Sequence, residues 1–230
     1  MEHNKTFLIA GAGGGIGRAL SDKLIEAGHA VIAIGRRIID DSRITSFAYD
    51  FNSGDELPQI ETPVDGLVYC PGSINLRPFN RITSQDLTDD FTINVLGAFR
   101  FIKAYQANLR DSNDASVLLF SSVAAQTGMP FHTSVSISKA GVEGMTKALA
   151  AEFAPKIRVN CIAPSLTDTP LAEQLLNTDS KRTANADRHP MKRIGTPNDI
   201  AALAAFLLLD APWMTGQIIG INGGLGTLIK

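Results

Sequence analysis

Short, almost uninterrupted apolar segments alternate with helical patterns along this chain, and the alternation limits its possible folds more than any other feature. Strands are expected at about 7–10, 30–34, 45–50, 66–70, 116–120, 157–163 and 217–221. Strands that are apolar on both faces are buried on both sides, which happens when helices cover both faces of a parallel sheet. The chain is therefore predicted to be an α/β protein with a doubly wound, seven-stranded parallel sheet.

Helical patterns fill most of the connections between these strands. Ile16, Leu20 and Leu24 form one stripe of a helix that ends near Gly28, and further helices are expected at about 84–110, 134–153 and 198–209. The connection at 36–45 is too short for a full crossover helix. No repeat or linker interrupts the pattern, and 44% of the 230 residues are hydrophobic, so residues 1–230 are expected to form one domain.

Charge and cysteine content exclude several classes of function. The formal net charge is −2, which provides no basic surface for nucleic acid or an anionic membrane. No apolar segment reaches the roughly 20 residues that a membrane span needs. Cys70 and Cys161 lie in apolar segments and are expected to be buried thiols, so neither a disulfide nor a metal site is expected. Met1–Lys5 leads directly into a strand without a signal peptide, and a cytoplasmic location is the expectation.

A glycine-rich turn, Gly11 to Gly17, joins the first strand to the first helix. Glycines at such a turn let a diphosphate approach the backbone, and the helix N-terminus offers free N–H groups and a positive dipole end. A tight turn without a ligand is the alternative. The position after the first strand and before an amphipathic helix favours dinucleotide binding in a Rossmann-type fold.

The residues after the second strand indicate which dinucleotide is bound. A carboxylate at this position would bind the ribose 2′-hydroxyl of NAD, but the chain has Gly35, Arg36 and Arg37. Two guanidinium groups with no acid among them suit a 2′-phosphate, so NADP(H) is predicted over NAD(H). The alternative is that one or both arginines are only solvated.

Over nearly its whole length the sequence resembles the short-chain dehydrogenase/reductase family, and most closely its 3-oxoacyl carrier-protein reductase-like branch. The matching positions include the family's glycine motif, its helix asparagine Asn94, its catalytic serine Ser122 and its catalytic lysine Lys139. The resemblance implies a nicotinamide cofactor and a carbonyl or alcohol substrate. The residues expected at the cofactor are Gly11, Gly13, Gly15, Ile16, Gly17, Arg36, Arg37, Asp50, Phe51, Gly72, Lys139, Pro164 and Thr167.

One position departs from the family where its chemistry depends on it most. Val135 stands where the family has a tyrosine, one helical turn before Lys139. In the family the tyrosine gives a proton to the carbonyl oxygen, the serine hydrogen-bonds that oxygen, and the lysine holds the ribose and keeps the phenol acidic. Valine has no proton to give, and positioned general acid catalysis contributes about 10²–10⁴-fold.

Several groups near Val135 are candidates for the missing proton donor. Ser134 and Ser136 are adjacent, but an unassisted hydroxyl is a weak acid. His132 is the nearby side chain that ordinarily titrates near neutrality, although a capping or surface role is more common for a lone histidine. Lys139 itself could give the proton if burial lowers its pKa.

Two further departures lie close to the expected site. Tyr69-Cys70-Pro71-Gly72 replaces the family's Asn-Asn-Ala-Gly, so one backbone donor is lost at Pro71. Ser165 replaces the glycine that commonly follows Pro164.

Three hypotheses about function follow from this pattern. The first is an NADP(H)-dependent oxidoreductase with altered or weakened proton transfer, the second a non-catalytic NADP(H)-binding sensor or partner subunit, and the third a lyase or isomerase. The resemblance implies a lid over the substrate at Thr169–His189, which mixes leucines with Lys181, Arg182 and Arg188, and an ordinary amphipathic surface helix is the alternative. The resemblance also implies a homodimer or homotetramer formed through the two long helices.

Overall fold

The computed structural model describes residues 4–110 and 114–228. Within them, one sheet holds seven strands in the order β3-β2-β1-β4-β5-β6-β7, and every pairing is parallel. The predicted sheet is confirmed, and each strand lies within two residues of its expected limits. The strands are β1 (Thr6–Ala10), β2 (Ala30–Gly35), β3 (Ile44–Ala48), β4 (Gly66–Tyr69), β5 (Ala115–Phe120), β6 (Ile157–Pro164) and β7 (Ile218–Ile221).

Helices lie in each of the four segments for which the sequence predicts them, and two further helices lie in the segment of the expected lid. They are α1 (Gly15–Glu26), α2 (Ser84–Phe91), α3 (Gly97–Arg110), α4 (Thr133–Phe153), α5 (Glu173–Leu176), α6 (Asp179–Arg188) and α7 (Pro197–Leu209). No helix joins β2 to β3, as the short connection predicts.

The expectation of continuous helix over residues 84–110 is wrong in one respect. A π-helical turn at Thr92–Leu96 separates α2 from α3. This wider turn leaves the carbonyl of Ile93 free to accept a hydrogen bond of 2.7 Å from the Tyr69 hydroxyl. The turn contains Asn94, whose side chain it directs inward, and such turns occur frequently at functional sites.

Two apolar layers cover the faces of the sheet. On one face, Phe101, Tyr105 and Leu109 of α3 pack with α4 residues such as Val142 in one buried cluster. On the other, Leu20 and Leu24 of α1 pack with α7 residues that include Ile200 and Leu207. Burying both faces removes most of the apolar side chains of the strands from water, which stabilises the sheet.

The order of the strands creates the crevice in which a ligand can bind. From β1 to β3 the chain adds strands on one side of the sheet, and from β4 to β7 it adds them on the other side. The order therefore reverses between β1 and β4, which are neighbours in the sheet. In open α/β sheets the loops that leave such a pair diverge to opposite faces and open a crevice at the carboxyl ends of the strands. No helix among the described residues is long and apolar enough to cross a membrane.

Candidate active site

The glycine turn between β1 and α1 allows a very close backbone approach. Gly11 and Gly15 have φ angles of +78° and +50°, which favour glycine. A Cβ atom on Gly17 would overlap the carbonyl oxygen of Gly11. The N-terminus of α1 has no side-chain cap, because its N-cap residue is Gly14. Its first amides are therefore available to an anion such as a diphosphate.

Arg36 and Arg37 lie exposed directly after β2. Within residues 4–110 and 114–228, neither guanidinium has a hydrogen bond or an ion pair. Asp41 cannot neutralise them easily, because Arg18 and Arg43 bind its carboxylate at 2.9 and 2.7 Å. The two arginines thus provide positive charge beside the glycine turn.

The two residues expected at the adenine differ in what they present. Asp50 is exposed, and its carboxylate accepts a hydrogen bond of 3.0 Å from the Asn52 amide. The ring of Phe51 is buried against Tyr69 and Phe101. Only the backbone of Phe51 could therefore contact a cofactor.

A cavity of about 230 Å³ lies at the carboxyl ends of β4, β5 and β6, and we call it the central cavity. It brings together most of the residues expected at the nicotinamide half of the site. The expected residues that line it are Ile16, Gly72, Ser122, His132, Val135, Lys139, Pro164 and Thr167. A larger and more open pocket between Asp168 and Arg182 contains none of them, so the central cavity is the candidate active site.

Lys139 is the buried cation of this site. Its Nζ donates a hydrogen bond of 3.0 Å to the carbonyl oxygen of Phe120, and an ammonium group has two further protons to donate. Burial lowers the pKa of Lys139 to about 8, and the carboxylate of Asp90 is among the groups that oppose this shift. The amine therefore changes charge close to physiological pH and can bind a hydroxyl or exchange a proton there.

Asn94 and Gly72 form a cradle beside this amine. The Asn94 amide nitrogen donates to the carbonyl oxygen of Asp90 at 2.8 Å, while its Oδ1 is buried with no partner in the described structure. A Cβ atom on Gly72 would lie 3.0 Å from Asn94 Oδ1 and 3.2 Å from Lys139 Nζ. The three residues expected from the family motif therefore meet at one point.

The sequence did not reveal a buried carboxylate behind this cradle. Asp90 is 2% exposed and accepts hydrogen bonds from the hydroxyls of Ser73 and Ser134. Ser73 in turn accepts one of 3.0 Å from the Asn94 amide. The only signal in the sequence was the spacing of Asp90 and Asn94, which places them one turn apart on a helix.

Ser122 and Val135 form part of the wall of the central cavity. The Ser122 oxygen accepts a hydrogen bond of 3.2 Å from the Ala124 amide, so it caps the short turn that follows β5. Its own hydroxyl proton stays available to a ligand. Val135 lies one turn before Lys139 on α4 and is 5% exposed. An apolar surface thus occupies the place where the family has its phenol.

The candidates near Val135 differ in their availability. Ser134 donates to Asp90 and Ser136 donates to the carbonyl oxygen of Ala124 at 2.7 Å, and neither lines the cavity. His132 does line it, and its Nδ1 must bear a proton because it lies 2.7 Å from the carbonyl oxygen of Pro130. The hydroxyls of the two serines are therefore already hydrogen-bonded within the protein, whereas the histidine can face a ligand.

The expectation that both thiols lie in the core is wrong for Cys70. Cys161 is fully buried, but Cys70 is only partly buried and lines the central cavity. The surrounding protein raises its pKa to about 12, because burial disfavours a thiolate. Cys70 is thus a neutral thiol at physiological pH.

The expected lid contributes apolar side chains and one cation to the cavity. Leu171, Leu175 and Arg188 line it. Lys181 and Arg182 do not, because Lys181 donates to the Gln174 carbonyl oxygen and Arg182 pairs with Asp168 at 2.7 Å. Of the three basic residues noted in this segment, Arg188 is the one placed to meet a ligand.

Two residues at the cavity were not expected to act together. Ser165, noted only as a replacement for glycine, lies 2.8 Å from the Nε2 atom of His189, and both line the cavity. His189 was expected only as the last residue of the lid segment. Their separation of 24 residues follows no local spacing rule, so the sequence offered no signal for this contact.

Known proteins match this chain along most of its length. A family model described as enoyl-(acyl carrier protein) reductase matches residues 54–226. The 3-oxoacyl-[acyl-carrier-protein] reductase FabG of Thermotoga maritima is 31% identical over 241 aligned residues, which cover 96% of this chain and 97% of that protein. This chain belongs to the short-chain dehydrogenase/reductase family.

Solved structures of the family have the same fold. The ligand-free aldohexose dehydrogenase of Thermoplasma acidophilum matches with a TM-score of 0.88 and 25% identity, covering 99% of this chain and 96% of that one. A short-chain type dehydrogenase/reductase from Mycobacterium ulcerans matches with a TM-score of 0.87 and 26% identity, covering 97% and 90%. The resemblance to the short-chain dehydrogenase/reductase family that the sequence indicated is thus confirmed.

Members of this family bind a nicotinamide cofactor, and the site has the features that such a group requires. The uncapped N-terminus of α1 can receive a diphosphate. The unpartnered Asn94 oxygen and the space above Gly72 can receive polar groups near Lys139. The residues present therefore fit a nicotinamide dinucleotide.

Proposed function

We propose that this protein is an NADP(H)-dependent oxidoreductase that interconverts a carbonyl and an alcohol, with atypical proton transfer because Val135 replaces the tyrosine. The observation that supports this most is the meeting of Gly72, Asn94 and Lys139 at one end of a cavity that also contains Ser122.

Each of these residues has a distinct role in the proposed reaction. Bound NADPH would supply the hydride. Lys139 would bind the ribose hydroxyls of the cofactor through the ammonium protons that Phe120 does not occupy, and the Asp90 network holds Asn94 in place. Ser122 donates a hydrogen bond from its hydroxyl to the substrate oxygen, which orients the carbonyl carbon. The apolar side chains of Val135, Leu171 and Leu175 exclude water around it.

Turnover with a panel of carbonyl compounds tests this proposal. We expect slow oxidation of NADPH, followed by absorbance, with at least one of several 3-oxoacyl thioesters, ketones and aldehydes. The thioesters are included because the Thermotoga maritima relative is a 3-oxoacyl-[acyl-carrier-protein] reductase. Lys139→Met should abolish the activity, since it removes the charge at the ribose. Tight binding of NADPH with no oxidation by any compound would instead support the non-catalytic alternative, which the apolar Val135 favours.

The preference for NADP(H) depends on Arg36 and Arg37. Replacing both with alanine should weaken NADPH binding by about 10- to 100-fold, because two charge-assisted contacts worth roughly 1.5–3 kcal/mol each are lost in a solvent-exposed setting that reduces their effect. NADH binding should change little. Calorimetry with both cofactors measures the ratio, and Arg81→Ala provides a control for the loss of an exposed arginine elsewhere. An unchanged preference in the double variant would show that the arginines are only solvated.

An exposed face on the two long helices supports the proposal of a homodimer or homotetramer. Phe99 of α3 and Ile137 of α4 are 46% and 49% exposed, although both are large and apolar. Gly144 of α4 is also exposed and has open space beside it, which would allow another helix to approach closely. Light scattering of the purified protein at micromolar concentration would contradict this if it found only monomers.

A further inference from the structure

The pairing of Ser165 with His189 is the part of the central cavity that the family motifs do not explain. Ser165 follows β6 directly, and His189 ends α6 with 2% of its surface exposed. Both side chains line the same cavity as Ser122, Val135 and Lys139. The chain that lacks the tyrosine therefore has an additional hydroxyl and an imidazole at the same cavity.

The contacts of His189 determine where its protons lie. Its Nδ1 lies 2.8 Å from the carbonyl oxygen of Asn185, and since a carbonyl can only accept, Nδ1 bears a proton. In the neutral ring Nε2 is then the acceptor, and the Ser165 hydroxyl donates to it across 2.8 Å. The imidazole is thereby held with Nε2 directed at Ser165.

The same heavy atoms also satisfy the charged ring. In the imidazolium form Nε2 donates to the Ser165 oxygen, and the Ser165 hydroxyl turns to the carbonyl oxygen of Asn222, 3.3 Å away. His189 can therefore gain or lose a proton without losing a hydrogen bond. A substrate oxygen in the cavity can replace Asn222 as the acceptor of the Ser165 hydroxyl.

The sheet places Ser165 at the same edge as the other residues of the cavity. Phe120 of β5 pairs with Ile162 of β6, and the Ser121 amide donates to the Ile162 carbonyl oxygen at 2.8 Å. Ser122 and Ser165 thus follow neighbouring parallel strands, which lie about 5 Å apart. Lys139 contacts the last residue of β5.

We propose that Ser165 and His189 form the proton relay that replaces the missing tyrosine, an inference that rests on the proposed oxidoreductase function. Bound NADPH would supply the hydride to the carbonyl carbon, and the π electrons of the carbonyl would move to its oxygen. That oxygen takes the hydroxyl proton of Ser165, and Ser165 takes the Nε2 proton of the His189 imidazolium. The substrate leaves as the alcohol, and neutral His189 recovers a proton from water.

Charged residues on three segments lie around His189. Arg188, Lys192 and Asp187 lie on its own segment, and Lys192 is paired with Asp187 at 3.6 Å. The loop after β6 contributes Asp168, which is paired with Arg182, and α4 contributes Lys139. The segment from Asn222 to Leu225 contributes no charge.

Two variants that remove the relay test the proposal. His189→Gln keeps an amide that can bond Ser165 but cannot release a proton, and Ser165→Ala removes the hydroxyl. Each should lower kcat for reduction by about 10²-fold or more, with NADPH affinity and KM changed by less than about threefold. The pH profile of kcat should differ between the wild type and His189→Gln, and the dependence that remains in His189→Gln should follow Lys139, whose pKa burial lowers to about 8. Ser136→Ala, which removes a hydroxyl outside the cavity, should keep both kcat and its pH profile.

A measurement without substrate or cofactor separates a relay from a structural contact. In NMR spectra of the free protein, the neutral His189 ring should carry its proton on Nδ1, with Nε2 as the acceptor of the Ser165 hydroxyl, and Ser165→Ala should shift the Nε2 signal. A neutral ring that carries its proton on Nε2, or an Nε2 signal that Ser165→Ala leaves unchanged, would overturn the proposal. It would also be overturned if both variants kept the wild-type kcat and pH profile, or if His132→Gln removed the pH dependence instead. A wild type that transfers no hydride to any carbonyl would refute the oxidoreductase function itself.

Discussion

Restoring a tyrosine at residue 135 is expected to raise kcat of the His189→Gln protein by about 10²–10⁴-fold, which is the usual contribution of a positioned general acid. Residue 135 lines the central cavity one helical turn before Lys139. A phenol there would enter the cavity close to the lysine ammonium, which lowers the pKa of the phenol. In the wild-type background the same substitution should add little, because the Ser165–His189 pair already delivers the proton.

Four proteins measure this effect with one substrate. They are the wild type, Val135→Tyr, His189→Gln and the double variant, and a double-mutant cycle of their kcat values gives the coupling between the two sites. Val135→Phe in the His189→Gln background is the matched control, because it adds the ring without the hydroxyl. Rescue by phenylalanine as well as tyrosine would mean that shape and not proton donation limits turnover. Equal gains from tyrosine in both backgrounds would mean that the two sites are independent.

The second large effect is expected at the glycine turn. Gly17→Ala should lower the free energy of unfolding by about 1–3 kcal/mol, because its methyl group meets the backbone of Gly11 and Ala12, and backbone has no rotamer by which to move aside. A shift of α1 away from the turn would also move the amides that receive the diphosphate. NADPH binding should therefore weaken by about 10- to 100-fold, at about 1.4 kcal/mol for each factor of ten.

Gly14→Ala is the control for this effect. Gly14 is the residue before α1, its φ of −161° suits any side chain, and nothing lies within 4 Å of an added Cβ atom. Its unfolding free energy should stay within about 0.5 kcal/mol of the wild type, as for most surface substitutions. Denaturant unfolding and calorimetry with NADPH measure the two quantities. Unchanged binding in Gly17→Ala would show that the turn does not hold the diphosphate.

The fold was predictable because its signals are local. The seven strands were recognisable from short apolar segments, and α1, α4 and α7 from stripes repeated every turn. The π-helical turn at Thr92–Leu96 was missed, since its residues follow an ordinary helical pattern. The Ile93 carbonyl that the wider turn leaves free bonds Tyr69, which lies 24 residues away in the sequence.

The site was predictable only where one motif contained its residues. Val135 and Lys139 share a helix face, and the resemblance to the family implies that a proton donor is missing there. The hydrogen bonds of Ser134 and Ser136 could not be predicted from the sequence, because their partners Asp90 and Ala124 lie on other elements. Cys70 was expected in the core because its neighbours are apolar, but the strand ends there and its side chain meets the cavity.

The sequence alone determined the parallel sheet, the glycine turn and the loss of the phenol beside Lys139, since each depends on residues within a few positions of one another. The tertiary structure decided what stands in for the phenol. Ser165 meets His189 across 24 residues and Asn222 across 57, because β6, the end of α6 and the segment after β7 converge at one edge of the sheet. No periodicity encodes such a contact, since it exists only when these three segments have packed together.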